Sequence, residues 1–191
     1  MGSQNRKSAW KVLNRSKVLK TPIFDIFLEH SICPRNGKGG NFYVFDIRNW
    51  VNIVAVTKEQ KIVMIRQFRQ GSKTYEYEIP GGLIDDTDSS PLEAGIRELR
   101  EETGYAGTNG RIIGKVLPNP ALQGNVCYTA LVENAEKVSS TAMEDAEDIE
   151  TFLVTIPELE KMIRKGEIMY GLVLNALSFF LNIETTGRTK R

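Results

Sequence analysis

The stretch Arg97-Glu98-Leu99-Arg100-Glu101-Glu102 sets three carboxylates within five positions. Like charges at helical spacing repel, so the cluster asks for a cation. Asp and Glu oxygens with no His or Cys among them suit Mg2+, with Mn2+ as the alternative, rather than zinc; Mg2+ commonly takes a few carboxylates together with substrate phosphates. The chemistry to expect is metal-assisted work on a phosphate. The plain alternative is a solvated charged face with an Arg97–Glu101 pair, and the surrounding sequence argues against it.

Ser90-Pro91-Leu92-Glu93 reads as a capping box with proline at the first helical position, and Gly104 ends the helix so begun. On that helix Leu92, Ile96, Leu99 and Thr103 form one narrow stripe that must face the core. Glu102 and Glu98 lie on a flank of the stripe one turn apart, with Glu101 further round. Just ahead, PGGLIDDTD reads as a glycine-led acidic loop that can fold back over the helix.

Other chemistries are poorly supplied. The single histidine, His30, has no partners for an imidazole triad or a zinc site. The two cysteines, Cys33 and Cys127, stand outside any CxxC pattern and read as free thiols. A net charge of +1 provides no field to collect nucleic acid. No apolar run is long enough for a membrane span, and MGSQNRKSAWK lacks the apolar stretch of a secretory signal, so a cytoplasmic location is expected.

The elements that must hold the acidic helix follow from periodicity. IFDIFLEHSIC and NFYVFDI alternate around the turn PRNGKGG and predict a small N-terminal sheet. WVNIVAV and KIVMIRQF read as a buried hairpin, TYEYEIP as a strand stopped by Pro80, then RIIGKVL, VCYTALVENA and TFLVTI as further strands. TIPELEKMIRKG and GLVLNALSFFLNI read as helices, PNPALQGN and SSTAMEDAEDIE as loops, and both chain ends as frayed. This order predicts a mixed sheet with helices packed on it.

The motif resembles the Nudix box: glycine, five residues, glutamate, seven residues, then Arg-Glu-apolar-x-Glu-Glu-x-Gly-apolar. Arg97 to Tyr105 match the second half throughout. The first half departs: after Gly82 and five intervening residues stands Asp88 in place of glutamate, eight residues rather than seven separate it from Arg97, and Thr87 stands where glycine is usual. WVNIVAV, RQFRQG, EIPGG and PNPALQGN are similar to the branch that cleaves ADP-ribose and other nucleoside diphosphate sugars.

The resemblance implies an α+β fold, a Nudix-type α/β/α sandwich with a mixed sheet, plus a small N-terminal antiparallel sheet that dimerises. Its division would be N-terminal strands over 1–48, a catalytic domain over 49–184 and a flexible basic tail over 185–191. It implies metal ligation by Glu98 and Glu102, helped by Glu101 and the Gly82 carbonyl, with Arg97 holding the loop and Glu101 in place. Arg69 and Arg66 would meet the diphosphate, and Glu78 the outer metal shell or a ribose. Trp50, Phe42 and Tyr43 would stack on a base. A general base would come from the acidic loop, from Glu144, Asp145 or Glu147. The implied reaction is Mg2+-dependent hydrolysis of a nucleoside diphosphate sugar, ADP-ribose-like or GDP-mannose-like, to a monophosphate and a sugar phosphate, by a homodimer that engages neither nucleic acid nor membrane. A non-catalytic nucleotide-sugar sensor is the alternative, disfavoured by the intact acids; a prenyl diphosphate isomerase and an RNA decapping enzyme fit less well.

Overall fold

The computed structural model describes residues 9–142 and 148–188, with side chains as far as residue 182. The chain divides into two compact units. One holds the residues up to Arg48 together with Leu117–Asn125, and the other holds Asn49–Val116 and the residues from Val126 onward.

The first unit is an antiparallel sheet in the order β1 (Lys11–Lys20), β2 (Phe24–Ile32), β3 (Gly39–Ile47). The residues from Lys11, read above as part of a frayed end, are a ten-residue strand paired from Lys11↔Ile32 to Lys20↔Asp25. Two of its basic side chains, Arg15 and Lys17, find partners across the sheet. Lys17 pairs with Asp25, and Arg15 lies 3.4 Å from Glu29, 3.2 Å from Asp46 and 3.8 Å from the Phe27 ring centroid. His30 is tied within the sheet, its Nδ1 2.7 Å from Asn41 Oδ1. PNPALQGN, read as a loop of the main domain, belongs here instead: Phe45 N donates to Leu122 O at 2.8 Å and Asn125 Nδ2 to Arg48 O at 3.0 Å.

The second unit contains β4 (Trp50–Thr57), β5 (Lys61–Arg69), β6 (Thr74–Glu78), β7 (Gly81–Leu83), α1 (Pro91–Thr103), β8 (Tyr105–Val116), β9 (Cys127–Lys137), β10 (Ile149–Thr155), α2 (Ile156–Arg164) and α3 (Gly171–Arg188). Its sheet runs β10-β5-β4-β9-β8, with β6 added to β5 and β7 to β4. The β4–β9 pair is parallel and the other pairs are antiparallel, so the sheet is mixed.

Strand β4 shows why the unit has three layers. Val51, Ile53 and Ala55 pack with Val63, Ala94 and Leu99 on the α1 side. Val54 and Val56 point the other way, into a cluster with Ile62 and Met64 of β5 and with Leu159, Val173, Leu177 and Phe180 of α2 and α3. A strand covered on both faces must be apolar along nearly its whole length, which is what WVNIVAV shows. Its polar member, Asn52, reaches the first turn of α3 and donates from Nδ2 to Leu172 O at 3.2 Å.

Two elements differ from the sequence reading. The start of PGGLIDDTD is not loop but β7, antiparallel to β4 with Asn52↔Gly81 and Trp50↔Leu83. Gly81 is required there, because a Cβ would collide with Val51 O and lie 2.9 Å from Asn52 Cα. Helix α3 continues to Arg188, past residue 184, since extending an established helix costs only one further residue's ordering per hydrogen bond gained. Among the described residues no helix is long and apolar enough to cross a membrane. Both cysteines are free, and burial pushes the Cys127 thiol up to about 11.

Candidate active site

Helix α1 carries the three glutamates and is fixed at both ends. Ser90, in extended conformation, accepts from Glu93 N at 3.2 Å and caps the first turn. The capping box is only half made: the Glu93 carboxylate takes Ser89 N at 2.7 Å, and the Ser89 hydroxyl, rather than reaching back to Ser90 N. At the other end Gly104 adopts φ 74° and donates to Arg100 O at 2.9 Å. A Cβ on Gly104 would collide with Ser139 O, so this position needs glycine for both its φ and its space.

The buried face is wider than the stripe expected, and it takes in Ala94, Gly95 and Glu102 as well as Leu99 and Thr103. The carboxylates are graded in exposure around the helix. Glu102 is 4% exposed, the Glu98 side chain 14%, and the Glu101 side chain 44%. A buried acid needs hydrogen-bond donors, and β7 provides one: Gly81 N donates to Glu102 Oε2 at 3.0 Å. Glu98 lies directly against Gly82, where a Cβ would collide with Oε1 and come within 2.6 Å of Cδ. The GlyGly pair thus does two separate jobs. Gly81 lets β7 approach β4, and Gly82 leaves room for the Glu98 carboxylate beside its own backbone.

Arg97 closes the loop onto the helix. Its Nε and Nη2 donate to the two oxygens of Asp88, both at 3.0 Å, its Nη2 also to Leu83 O at 3.2 Å, and its Nη1 to Glu98 at 2.9 Å and Glu101 at 3.0 Å. Asp88 is the aspartate that departs from the motif in type and spacing. The extra residue is taken up in a turn in which Asp88 N donates to Asp85 O at 3.0 Å and Asp85 N to Asp88 Oδ2 at 2.8 Å. The shorter arm still meets Arg97 in a bidentate fork.

This fork perturbs both partners. The Arg97 guanidinium holds the Asp88 carboxyl below the usual carboxylate range, and the surrounding acids hold Arg97 above its usual value, Asp88 contributing most. Because the Asp88 value is lower folded than unfolded, its stabilisation is present above the unfolded value near about 4 and is lost as pH falls through the folded one. Asp88→Asn is expected to be less stable than the parent by on the order of 1–2 kcal/mol at neutral pH. That gap should close below about pH 4 in thermal melts run across the acid range; a gap independent of pH would mean that the ion pair does not hold the loop.

A second charged pair stands on β5 and β6. Arg69 Nε and Nη2 donate to Glu78 Oε1 and Oε2, both at 2.6 Å, with Glu78 2% exposed and the Arg69 side chain 42% exposed. Burial would lower the Arg69 pKa, but the Glu78 fork outweighs it, with Tyr170 and Glu102 adding in the same direction, so the guanidinium is held above its usual value. Arg69 therefore shares one electrostatic cluster with Glu78, Glu102 and Tyr170, and its guanidinium lies 5.8 Å from the Tyr170 ring centroid.

The structure does not bring every expected residue to this cluster. Arg66 lies three positions from Arg69 on β5 and so points to the opposite face. There it stacks 4.7 Å from the Tyr75 ring centroid and pairs with Glu150 at 3.7 Å, apart from the Arg69 cluster. Trp50 is half-buried at the start of β4, its backbone N–H donating to Val126 O at 2.9 Å. Phe42 and Tyr43 are exposed on β3, with Phe42 in edge contact with Trp10 at 5.3 Å. Glu144, Asp145 and Glu147 lie outside the described residues. The chain just before them is anchored to the acidic helix, since Ala142 N donates to Glu101 O at 2.8 Å.

The donor set fits a hard divalent cation. Glu98, Glu101, Glu102 and the Gly82 carbonyl offer oxygen alone, and Gly82 provides a space that any Cβ would fill. Among the described residues no three acidic, His or Cys side chains are gathered about one point. Arg97 Nη1 here supplies the positive charge between Glu98 and Glu101, and swinging those carboxylates away from it would free them to ligate.

Comparison with known proteins agrees with the motif and the fold. The model of the NUDIX domain matches residues 47–172. An ADP-ribose pyrophosphatase of Bacillus subtilis (strain 168) is 26% identical over 170 residues, covering 88% of this chain and 91% of its own. A methanol dehydrogenase activator of Bacillus methanolicus is 26% identical over 164 residues, covering 85% of each. A crystal structure of an ADP compounds hydrolase superposes with a TM-score of 0.85 at 19% identity, over 97% of this chain and 100% of that one, and shares the fold. The matched segment spans β4, the glycine pair, the acidic helix and the sheet that carries them, so the chain belongs to the NUDIX family, as a hydrolase similar to its ADP-ribose pyrophosphatases.

Proposed function

We propose that this protein hydrolyses the diphosphate bond of a nucleoside diphosphate sugar, ADP-ribose-like or GDP-mannose-like, to a nucleoside monophosphate and a sugar phosphate. The observation that carries the reading is the seating of Glu98 and Glu102 against the Gly81–Gly82 backbone. Carboxylates so placed would hold Mg2+, or Mn2+, with Glu101 and the Gly82 carbonyl completing the set. When bound, divalent ions neutralise phosphate oxygens and polarise the phosphorus under attack.

The chain's own residues do the rest. Arg97 and Asp88 fix the loop so that the Gly82 backbone stays beside Glu98. The Arg69 guanidinium has five N–H donors, of which the Glu78 fork takes two, and it turns toward a phosphate oxygen while Glu78 holds its plane. An acid from the loop over residues 144–147 takes the proton of the attacking water. The protein works in the cytoplasm as a homodimer, a reading supported by the exposed Val12, Leu13, Val18 and Leu19 on β1, a large apolar surface for one strand to leave uncovered.

The test is direct. The protein is incubated with Mg2+ and ADP-ribose, GDP-mannose, UDP-glucose and a dinucleotide, and the products are identified. Release of a monophosphate from a sugar substrate supports the reading, and the position of label from heavy-oxygen water identifies the phosphorus attacked. Tight ligand binding with no turnover would replace it with the sensor.

A further inference from the structure

Beside Arg69 the second unit contains a cavity of about 510 Å3, bounded by the β5–β6 turn at Gln70 and Ser72, by Glu76 of β6, and by Met169 and Tyr170 ahead of α3. That is ample for a sugar ring and its first waters. Glu76 is the unusual member, because it is only 7% exposed. It stands two residues before Glu78 on the same face of β6. The two acids differ in their partners. Both oxygens of Glu78 are taken by Arg69. Among the described residues Glu76 accepts a single hydrogen bond, from the Thr74 hydroxyl at 2.5 Å, and no cation pairs with it.

A carboxylate accepts about four hydrogen bonds, and a buried one with a single donor is poorly compensated. The missing donors must come from the cavity side. With Glu78 balancing the charge of Arg69, the Glu76 side of this cavity carries a negative charge uncompensated among the described residues, which disfavours a phosphate or carboxylate there and leaves anions to the remaining donors of Arg69. Hydroxyl donors suit it, since O–H···O− bonds are among the stronger neutral-to-charged contacts. Tyr170 adds a ring edge or face for C–H groups, and burial raises its pKa so that its hydroxyl stays protonated.

We propose that this cavity binds the vicinal hydroxyls of a sugar in the substrate, with Glu76 as their acceptor and Tyr170 as the wall against which the ring lies. The inference rests on the diphosphate reading above, because it places the sugar next to the phosphate that Arg69 meets. The hydroxyls belong either to the ribose of the nucleoside or to the sugar beyond the diphosphate; the chemistry is the same, and the experiment separates them.

Steady-state hydrolysis of ADP-ribose is compared with that of two analogues, one lacking the 2- and 3-hydroxyls of the distal ribose and one lacking those of the nucleoside ribose, for the parent protein and for Glu76→Gln. For the parent, one analogue should show a KM about 10- to 100-fold higher than ADP-ribose, as expected for lost hydrogen bonds to a charged group. The analogue that does so identifies the sugar in the cavity. In Glu76→Gln the KM for ADP-ribose should rise by a similar factor with kcat little changed, and the penalty for the deoxygenated sugar should vanish. Gln keeps an acceptor for Thr74, and a melting curve checks the fold; if the variant does not fold, the parent's discrimination among the three substrates decides alone. Equal KM for all three substrates overturns the inference while leaving the diphosphate reading intact. If none of the three is cleaved, the same comparison is run with GDP-mannose and its deoxygenated analogues, and absence of cleavage there as well overturns both.

Discussion

Replacing Glu102 by Gln is expected to lower kcat by about 100- to 1,000-fold in saturating Mg2+, the scale on which loss of one transition-state electrostatic contact acts. The fold should survive the change. Glu102 is 4% exposed and accepts from Gly81 N at 3.0 Å, and the Gln carbonyl can take that bond while one charge is removed from a helix that carries three. Glu98→Gln should act likewise. A second readout separates metal binding from chemistry: adding Mg2+ should raise the melting temperature of the parent by mass action and leave both variants unmoved. Gly82→Ala makes the same point without touching an acid, because its Cβ would fall 2.6 Å from Glu98 Cδ and push the carboxylate aside. Its activity should fall by at least about 10-fold with little loss of stability, since the group displaced is the mobile end of a side chain. If Mg2+ stabilised Glu102→Gln as much as the parent, the acids would not be its ligands.

The second large effect is on stability and comes from Arg69→Leu. The variant leaves Glu78, 2% exposed, with neither of its fork donors. Removing one partner of a fully buried pair costs about 3–5 kcal/mol; the 42% exposure of Arg69 lets water reach the site and brings the expectation down to about 2–3 kcal/mol. Arg69→Leu/Glu78→Leu should recover much of that loss, because what harms the single variant is the stranded charge rather than the missing attraction. Denaturant melts of the two singles and the double give the coupling directly. A double variant no more stable than Arg69→Leu would show that the pair contributes through packing instead.

The helix and its acids were legible because their signals are local. Ser90, Pro91 and Gly104 mark the ends of α1, and the apolar period fixes which flank the glutamates occupy, so their graded exposure follows from a spacing of 3.6. The strand β1 was not legible. Its charges look solvated until Asp25, Glu29 and Asp46 are set across from them, and cross-strand partners have no fixed separation in sequence. Asp88 shows the same limit at the site itself. The motif's spacing is broken by one residue, and only a turn between Asp85 and Asp88 returns the carboxylate to Arg97.

The sequence by itself determined which side chains are on offer: carboxylates without imidazole or thiolate partners, on a helix whose caps and period are written in consecutive residues. Tertiary structure alone decided which charges meet. Arg66 and Arg69 look equivalent on paper, yet strand alternation sends one to the aromatic face and the other to Glu78 and Glu102. Glu76 and Glu78 look equivalent too, and only the reach of Arg69 gives one a cationic partner and leaves the other, bonded to Thr74, facing a cavity. Periodicity is a property of neighbours along the chain, whereas the pairing of charges depends on distances that close only when separate strands are laid side by side.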